Sequence, residues 1–156
     1  MSLAQTAPQK SWHRVFRGSI REISAAAIWL ESIATDLALP GPQVFAMQVC
    51  LEELMSNIVR HAGTEPRSDL PWPAKVSERP LLISITVTAH DDRLIMTIED
   101  DGRPFDVALA QPKAIDQPLD QVKLGGLGIH LIRTFASDLR YSRTENGNRV
   151  IVEFSD

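Results

Sequence analysis

Apolar residues recur along the chain at two spacings, and each spacing predicts a different kind of element. Apolar positions three and four apart predict helices over residues 19–37 and 42–62, and from a glycine-rich turn at 125–128 to about residue 136. Ser19 and Glu22 stand in the positions of a capping box at the start of the first helix. A Pro-Gly-Pro sequence separates the first two helices, and Gly63 is expected to stop the second.

Alternation of apolar and polar residues predicts five strands, over residues 11–17, 81–90, 94–100, 139–144 and 149–154. Tight turns at 91–92 and 145–147 join the last four of these strands into two hairpins. The predicted element order is β-α-α-β-β-loop-α-β-β. This order indicates an α+β fold, a two-layer sandwich with a mixed or antiparallel sheet and the helices on one face.

Composition and charge are those of one soluble domain spanning residues 1–156, with residues 1–10 as a disordered tail. The chain has 44% hydrophobic residues and a net charge of −4, so it lacks the broad basic surface that direct nucleic-acid binding needs. No apolar stretch reaches the roughly 18 residues of a membrane span. Cys50, the single cysteine, is expected to be a buried thiol in a reducing compartment. We therefore expect a cytoplasmic protein that contacts neither a membrane nor nucleic acid directly.

Asp100 is the first position where the pattern breaks. It ends the predicted strand 94–100 in phase with the apolar residues Leu94, Met96 and Ile98, so its carboxylate faces the helix layer. Burying a carboxylate is costly unless donors surround it. Two interpretations are open: a strand-end aspartate that bonds the following turn, or an acceptor for an amine-bearing ligand between sheet and helices.

A second candidate is the run Glu53, Asn57 and His61, spaced by four along the second predicted helix. One interpretation is a solvated polar face. The other is a functional stripe, because carboxylate and amide oxygens are ligands that Mg²⁺ uses, and Glu53 is of the kind that acts as a general base towards a hydroxyl or water.

The third candidate is the glycine-rich turn formed by Gly125, Gly126 and Gly128 at the start of the last helix. Glycines let the backbone approach a ligand closely, and N–H groups at a helix start bind anions such as phosphate. The turn is not a Walker A motif, and the three-glycine dinucleotide pattern has Leu131 in its third place. A tight loop-to-helix turn without a ligand is the alternative.

The three motifs LEELMSNIVRHAG, IEDDGRPFD and LGGLGIHLIR, in this order, resemble the nucleotide-binding motifs of the GHKL ATPase superfamily, which has the Bergerat ATP-binding fold. The resemblance spans residues 44–154. It implies that Glu53 is the general base, that Asn57 is a ligand of Mg²⁺ on the ATP phosphates, and that residues 103–124 form an ATP lid. It further implies that Asp100 accepts a hydrogen bond from the adenine amino group and that Gly102 permits close approach. In the glycine-rich turn it implies that Gly126 and Gly128 cradle the phosphates, and we expect Gly125 and Leu127 to belong to the same nucleotide-binding turn. Lys123, just before the turn, is a candidate cation for a phosphate, and a solvated lysine of the lid is the alternative.

Within the superfamily, the chain looks like the stand-alone anti-sigma-factor serine/threonine kinases of bacterial partner-switching systems. The resemblance is carried by Pro104-Phe105-Asp106 in the second motif and by Asn57, His61 and Ala62 in the first. It implies a homodimer that binds a sigma factor and uses Mg-ATP to phosphorylate an anti-sigma-factor antagonist. It gives His61 no catalytic role, so helix packing or a cap is expected there.

Two other functions stay open. One is a nucleotide-dependent module that binds its partner without kinase turnover, and the other is a kinase acting on a response-regulator-like target. Two departures from the family pattern are the long proline-rich segment 64–80 and Asn148-Arg149, which stands where many members have a threonine.

Overall fold

The computed structural model describes residues 9–62, 80–105 and 127–155. Its elements, in chain order, are β1 (Lys10–Arg17), α1 (Ile20–Asp36), α2 (Gly41–Asn57) with a π-helical turn (Ile58–Ala62), β2 (Leu82–Ala89), β3 (Arg93–Asp100), α3 (Leu127–Phe135), β4 (Asp138–Arg143) and β5 (Asn148–Ser155). The predicted order of strands and helices is confirmed. The predicted tail lies outside the described residues as far as residue 8, and Lys10 already belongs to β1.

The five strands form one sheet in the order β1-β2-β3-β5-β4. Every neighbouring pair is antiparallel, which resolves the predicted mixed or antiparallel sheet in favour of the antiparallel one. β3 therefore lies at the centre of the sheet, and Asp100 at its end faces Ile83 on one side and Asn148 on the other. The predicted α+β class is confirmed.

The core lies between the sheet and the helices. Alternate residues of β2, β3 and β5 are buried, whereas the residues between them are partly exposed, so the helices cover one face. The buried sheet residues are Ile83, Ile85, Val87, Leu94, Met96, Ile98, Val150, Val152 and Phe154, and they pack against Leu30, Ile33, Met47, Leu51, Leu54 and Met55. Each such side chain stabilises the fold by about 1.5–3 kcal/mol relative to an exposed one.

Cys50 belongs to the same core, as predicted for its thiol. Burial raises the pKa of this thiol to about 12, and the nearby Glu53 carboxylate acts in the same direction. None of the described helices combines the length and the apolar character needed to cross a membrane.

The start of α1 differs from the prediction. Ser19 is the N-cap residue, but its side chain makes no capping hydrogen bond, so the predicted capping box with Glu22 is wrong. The physical reason is that the backbone already closes this turn, because the Glu22 N–H donates to the Ser19 carbonyl oxygen at 3.1 Å.

The second predicted helix, 42–62, is regular only as far as Asn57. The π-helical turn that follows is wider than an α-helical turn, so a spacing of four residues no longer keeps side chains on one line. Asn57 is accordingly buried while His61 is exposed. The predicted single stripe of Glu53, Asn57 and His61 is therefore broken at its last member.

Candidate functional site

The candidate site lies where the end of β3, the end of α2 and the start of α3 meet the turn between β4 and β5. Asp100 comes from β3, Glu53 and Asn57 from α2, Gly128 from α3 and Asn148 from β5. These residues are far apart in sequence, and the described contacts bring them together in two groups, one around Asp100 and one around Glu53.

The donors to Asp100 among the described residues bond only one of its two carboxylate oxygens. The side chain is 7% exposed, and its Oδ1 accepts hydrogen bonds from the Gly102 N–H at 2.9 Å and the Asn148 amide at 3.0 Å. Among the described residues, none donates to Oδ2. The aspartate therefore bonds its own turn, as the first interpretation held, and the second interpretation, an acceptor for an amine-bearing ligand, stays a prediction.

Burial raises the pKa of Asp100, and the neighbouring Asp101 acts in the same direction. The hydrogen bonds from Asn148 and Gly102 and the charge of Arg143 partly offset this rise. Burial thus disfavours the charged form of this carboxylate, and the groups that bond it or lie near it, Asn148, Gly102 and Arg143, favour that form.

Asn148 is a member of the site that sequence reasoning did not assign. It is 2% exposed, and besides Asp100 its amide nitrogen donates to the Arg103 carbonyl at 2.8 Å. Its Oδ1 accepts from the Tyr141 hydroxyl at 2.6 Å and from the Phe105 N–H at 3.2 Å. A signal was present in the sequence, because Asn148 is in phase with Val150, as Asp100 is with Ile98.

Residues 101–105, here called the lid root, are held from three sides. The Asp101 carboxylate accepts from the Leu82 N–H at 2.8 Å, and Arg143 donates to the Gly102 carbonyl at 2.8 Å. On the third side the lid root meets the π-helical turn: Arg103 Nε donates to the His61 carbonyl at 2.7 Å.

The Phe105 ring stacks on the His61 imidazole at the same place, with 4.5 Å between the ring centroids and 13° between the planes. Burial lowers the pKa of His61, and the charges of Arg60 and Arg103 lower it further. His61 thus packs against the lid root as a neutral ring, which agrees with the expected packing role.

Glu53 and Gly128 form the second group. Gly128 is buried in α3 directly against the Glu53 carboxylate, and a Cβ added to Gly128 would lie 2.9 Å from the carboxyl carbon of Glu53. Burial raises the pKa of Glu53, Arg60 lowers it and Glu52 raises it. A side chain at position 128 would displace this carboxylate, which is the end of a flexible side chain. The raised pKa is typical of a group poised for proton transfer.

Asn57 lies one helical turn beyond Glu53 and is 3% exposed. Its amide nitrogen is buried and has no hydrogen-bond partner among the described residues. Such an unpaired buried donor costs about 1–3 kcal/mol and calls for an explanation. The burial also excludes a solvated polar face at this position. A buried amide with an unpaired N–H can donate to a phosphate oxygen, and its own oxygen can bind the hydration shell of a cation.

Several predicted residues cannot be placed. Lys123, Gly125 and Gly126 lie outside the described residues, as do segment 64–79 and the lid beyond Phe105. Leu127 is the first residue of α3. Within the described residues, no group of three or more His, Cys, Asp or Glu side chains could hold a metal ion.

Comparison with known proteins shows the family to which the chain belongs. A family model described as a histidine kinase-like ATPase domain matches residues 16–154. The chain is 28% identical over 125 residues to serine/threonine-protein kinase BtrW of Bordetella bronchiseptica, covering 80% of each protein. It is 23% identical over 127 residues to serine-protein kinase RsbW of Bacillus cereus, covering 79% of this chain and 71% of that protein.

Among solved structures, the histidine kinase domain of a blue-light activated histidine kinase from Erythrobacter litoralis is similar, with 17% identity and a TM-score of 0.47. The similarity covers 86% of this chain and 59% of that one. The family match contains all three sequence motifs and begins earlier than they do, within β1. It confirms the superfamily that the motifs indicated.

Proposed function

The chain belongs to the histidine kinase-like ATPase domain family, and from that premise we propose that it is an ATP-dependent serine/threonine protein kinase acting as an anti-sigma factor. Its acceptor is a Ser or Thr of an anti-sigma-factor antagonist. The observations that carry this proposal are made on the described residues: the buried amide nitrogen of Asn57 has no hydrogen-bond partner among them, and their donors to the buried Asp100 bond only its Oδ1.

Asp100 binds the adenine of ATP in this mechanism. With Oδ1 occupied, Oδ2 accepts a hydrogen bond from the exocyclic amino group of adenine, and the ionised acid makes this a charge-assisted bond. Gly102 has no side chain to block the base, and its N–H donates to Oδ1 of the Asp100 carboxylate. The lid root keeps this arrangement fixed through its bonds to Leu82, His61 and Arg143.

Asn57 and Glu53 face the phosphates. The Asn57 amide binds a phosphate oxygen or a cation on it, and Mg²⁺, when bound, offsets the phosphate charge. Glu53 takes the proton from the incoming Ser or Thr hydroxyl, and its half-buried carboxylate lies against Gly128. Catalysis then consists of positioning and electrostatic stabilisation.

The remaining assignments rest on the motif resemblance alone. Gly125, Gly126, Leu127 and Gly128 would cradle the phosphates, with Lys123 as a cation beside them. The resemblance likewise supports a homodimer in the cytoplasm that binds a sigma factor. BtrW and RsbW, which are named as protein kinases, support turnover over the alternative of a module that only binds its partner.

Glu53→Gln tests the kinase proposal, and Glu52→Gln is its matched control, because Glu52 is the exposed neighbour on the same helix. We expect Glu53→Gln to slow phosphate transfer from labelled Mg-ATP to the antagonist by about 10²–10⁴-fold, the usual contribution of a general base. ATP affinity, measured by calorimetry, should change by less than about threefold, since the carboxylate does not bind the base. Equal transfer rates in the two variants would remove Glu53 as the base. ATP binding without any transfer by the wild type would exclude the kinase and leave the binding module.

A further inference from the structure

Asn148 is the most completely bonded side chain of the site. Its nitrogen donates to Asp100 Oδ1 and to the Arg103 carbonyl, which uses both of its hydrogens. Its oxygen accepts from the Tyr141 hydroxyl and the Phe105 N–H, with Arg143 as a third donor at 3.3 Å. The orientation of the amide follows from these partners, because a carbonyl can only accept and a backbone N–H or guanidinium can only donate.

A saturated amide has no group left with which to contact a ligand. Whatever Asn148 contributes to binding must therefore pass through Asp100 or through the lid root. Its bond to Asp100 and the bond from Gly102 both end on Oδ1, and together they fix the rotation of the carboxylate. Oδ2 is consequently turned to the side that neither donor occupies.

Packing alone does not require this residue. Asn148 pairs directly with Asp100 across β3 and β5, and Val150 and Val152, which follow it on the same face, are buried apolar residues. An apolar side chain would fill such a position at lower cost than an amide, unless the amide's hydrogen bonds serve a purpose. Its partners Arg103 and Phe105 also belong to the lid root, so Asn148 joins the acid to the segment that follows it.

We propose that Asn148 is the positioning residue for base selectivity: it fixes the Asp100 carboxylate so that Oδ2 meets the amino group of the purine, and it ties that carboxylate to the lid root. The inference rests on the proposed assignment of Asp100 to the base. Selectivity between purine nucleotides with and without an amino group should therefore depend on Asn148, although Asn148 itself touches neither.

The experiment compares ATP with purine riboside 5′-triphosphate, which lacks the amino group, by calorimetry at about pH 8, where an ordinary carboxyl is ionised. The wild type should bind ATP about tenfold to a hundredfold more tightly, the usual range for a hydrogen bond to a charged group. Asn148→Asp keeps the side-chain shape and the acceptor for Tyr141, but replaces the donor that faces Asp100. The ratio of the two affinities should fall to near one in this variant.

Asn146→Asp is the matched control, because it makes the same charge change at an exposed position of the same turn. Its affinity ratio should equal that of the wild type. Tyr141→Phe is the second variant, for the case in which Asn148→Asp does not fold. It removes the hydroxyl donor to the Asn148 oxygen and should lower the ratio by about twofold to fivefold, consistent with one neutral hydrogen bond.

A wild-type ratio that collapses in Asn148→Asp and shrinks in Tyr141→Phe supports the proposal. If Asn148→Asp lowers the affinities for both nucleotides by the same factor, so that their ratio is unchanged, the proposal is overturned and Asn148 is a structural residue. A wild type that binds both nucleotides equally overturns it as well, while ATP binding still stands. A wild type that binds neither nucleotide removes the proposed function together with this inference.

Discussion

At the scale of single residues, the site contains two acids whose pKa values burial raises for different uses. Asp100 is held by two donors on one oxygen, an arrangement that preserves its charge for an acceptor role. Glu53 lies half-buried against Gly128, where the raised pKa brings the carboxylate nearer to the pH at which a base works best. On the proposed assignments, similar burial accompanies recognition in one case and proton transfer in the other.

The raised pKa of Glu53 predicts a pH dependence of phosphate transfer. The base works only when ionised, so the rate at saturating Mg-ATP should rise with pH, with unit slope on a logarithmic scale, and level off above the raised pKa. Single-turnover transfer measured across the acid range checks this. Glu52→Gln should keep the shape of the wild-type profile and move it to slightly lower pH, because the Glu52 charge contributes to the raised pKa of Glu53, whereas the residual rate of Glu53→Gln should be flat. A wild-type rate that did not change in the acid range would remove Glu53 as the base.

At the scale of elements, the turn between β4 and β5 sets the position of Asp100. Gly147 is buried in that turn, and a Cβ added to it would meet the Asp100 carbonyl oxygen and lie 2.7 Å from the carbonyl carbon. Two hydrogen bonds close this turn. The Thr144 N–H donates to the Gly147 carbonyl oxygen at 2.8 Å, and the Gly147 N–H donates to the Thr144 hydroxyl oxygen at 3.0 Å. The backbone of β3 thus approaches this turn closely.

Gly147→Ala is therefore expected to destabilise the protein. The obstacle is backbone and not the end of a flexible side chain, so the strand or the turn must shift, at a cost of about 1–3 kcal/mol in the free energy of unfolding. Urea denaturation measures this. The matched control is Gly41→Ala, because an added Cβ there has nothing within 4 Å and alanine favours a helix; its stability should be unchanged or slightly higher. Equal stability of the two variants would contradict the close approach.

Much of the fold at this scale was predictable because its signals are local. Alternation placed the strands, helical spacing placed the helices, and phase with Ile98 placed Asp100 on the buried face. The π-helical turn was not predictable, since residues 58–62 continue an ordinary helical pattern. The hydrogen-bond network of Asn148 was not predictable either. Its partners follow from the pairing of β3 with β5, and the register between two distant strands cannot be read from the sequence of either strand alone. The capping box failed because a backbone bond had already closed the first turn of α1.

At the scale of the whole molecule, the site exists only in the folded chain. Glu53, Asp100, Gly128 and Asn148 come from four elements, and an unfolded chain holds none of them in register. A ligand of this site therefore binds the folded state and not the unfolded one. Such a ligand stabilises the protein in proportion to its concentration and affinity.

Mg-ATP should accordingly raise the thermal midpoint of unfolding. At a hundred times its dissociation constant it adds about 2.7 kcal/mol, which for a domain of this size corresponds to roughly 5–10 °C. Asp100→Asn should lose most of that increase, while without nucleotide its midpoint should equal or exceed that of the wild type, because a buried charge has been removed. The sign follows from the raised pKa: the ionised acid costs stability at neutral pH.

Asp92→Asn, an exposed change in the β2–β3 turn, is the control and should respond to Mg-ATP like the wild type. Differential scanning calorimetry with and without nucleotide gives all of these values. An Asp100→Asn protein that gained as much from Mg-ATP as the wild type would show that the nucleotide base does not meet this acid.

The bond between Asp100 and Asn148 also has a consequence for synthesis of the chain. Asn148, which donates to Asp100, is synthesised 48 residues after it. Tyr141, Arg143 and Gly147 come from the same late segment. A growing chain that has already released β2, β3 and α2 from the ribosome still carries an unoriented carboxylate. On the proposed function, nucleotide is therefore expected to stabilise the nascent protein only after residue 148 has emerged.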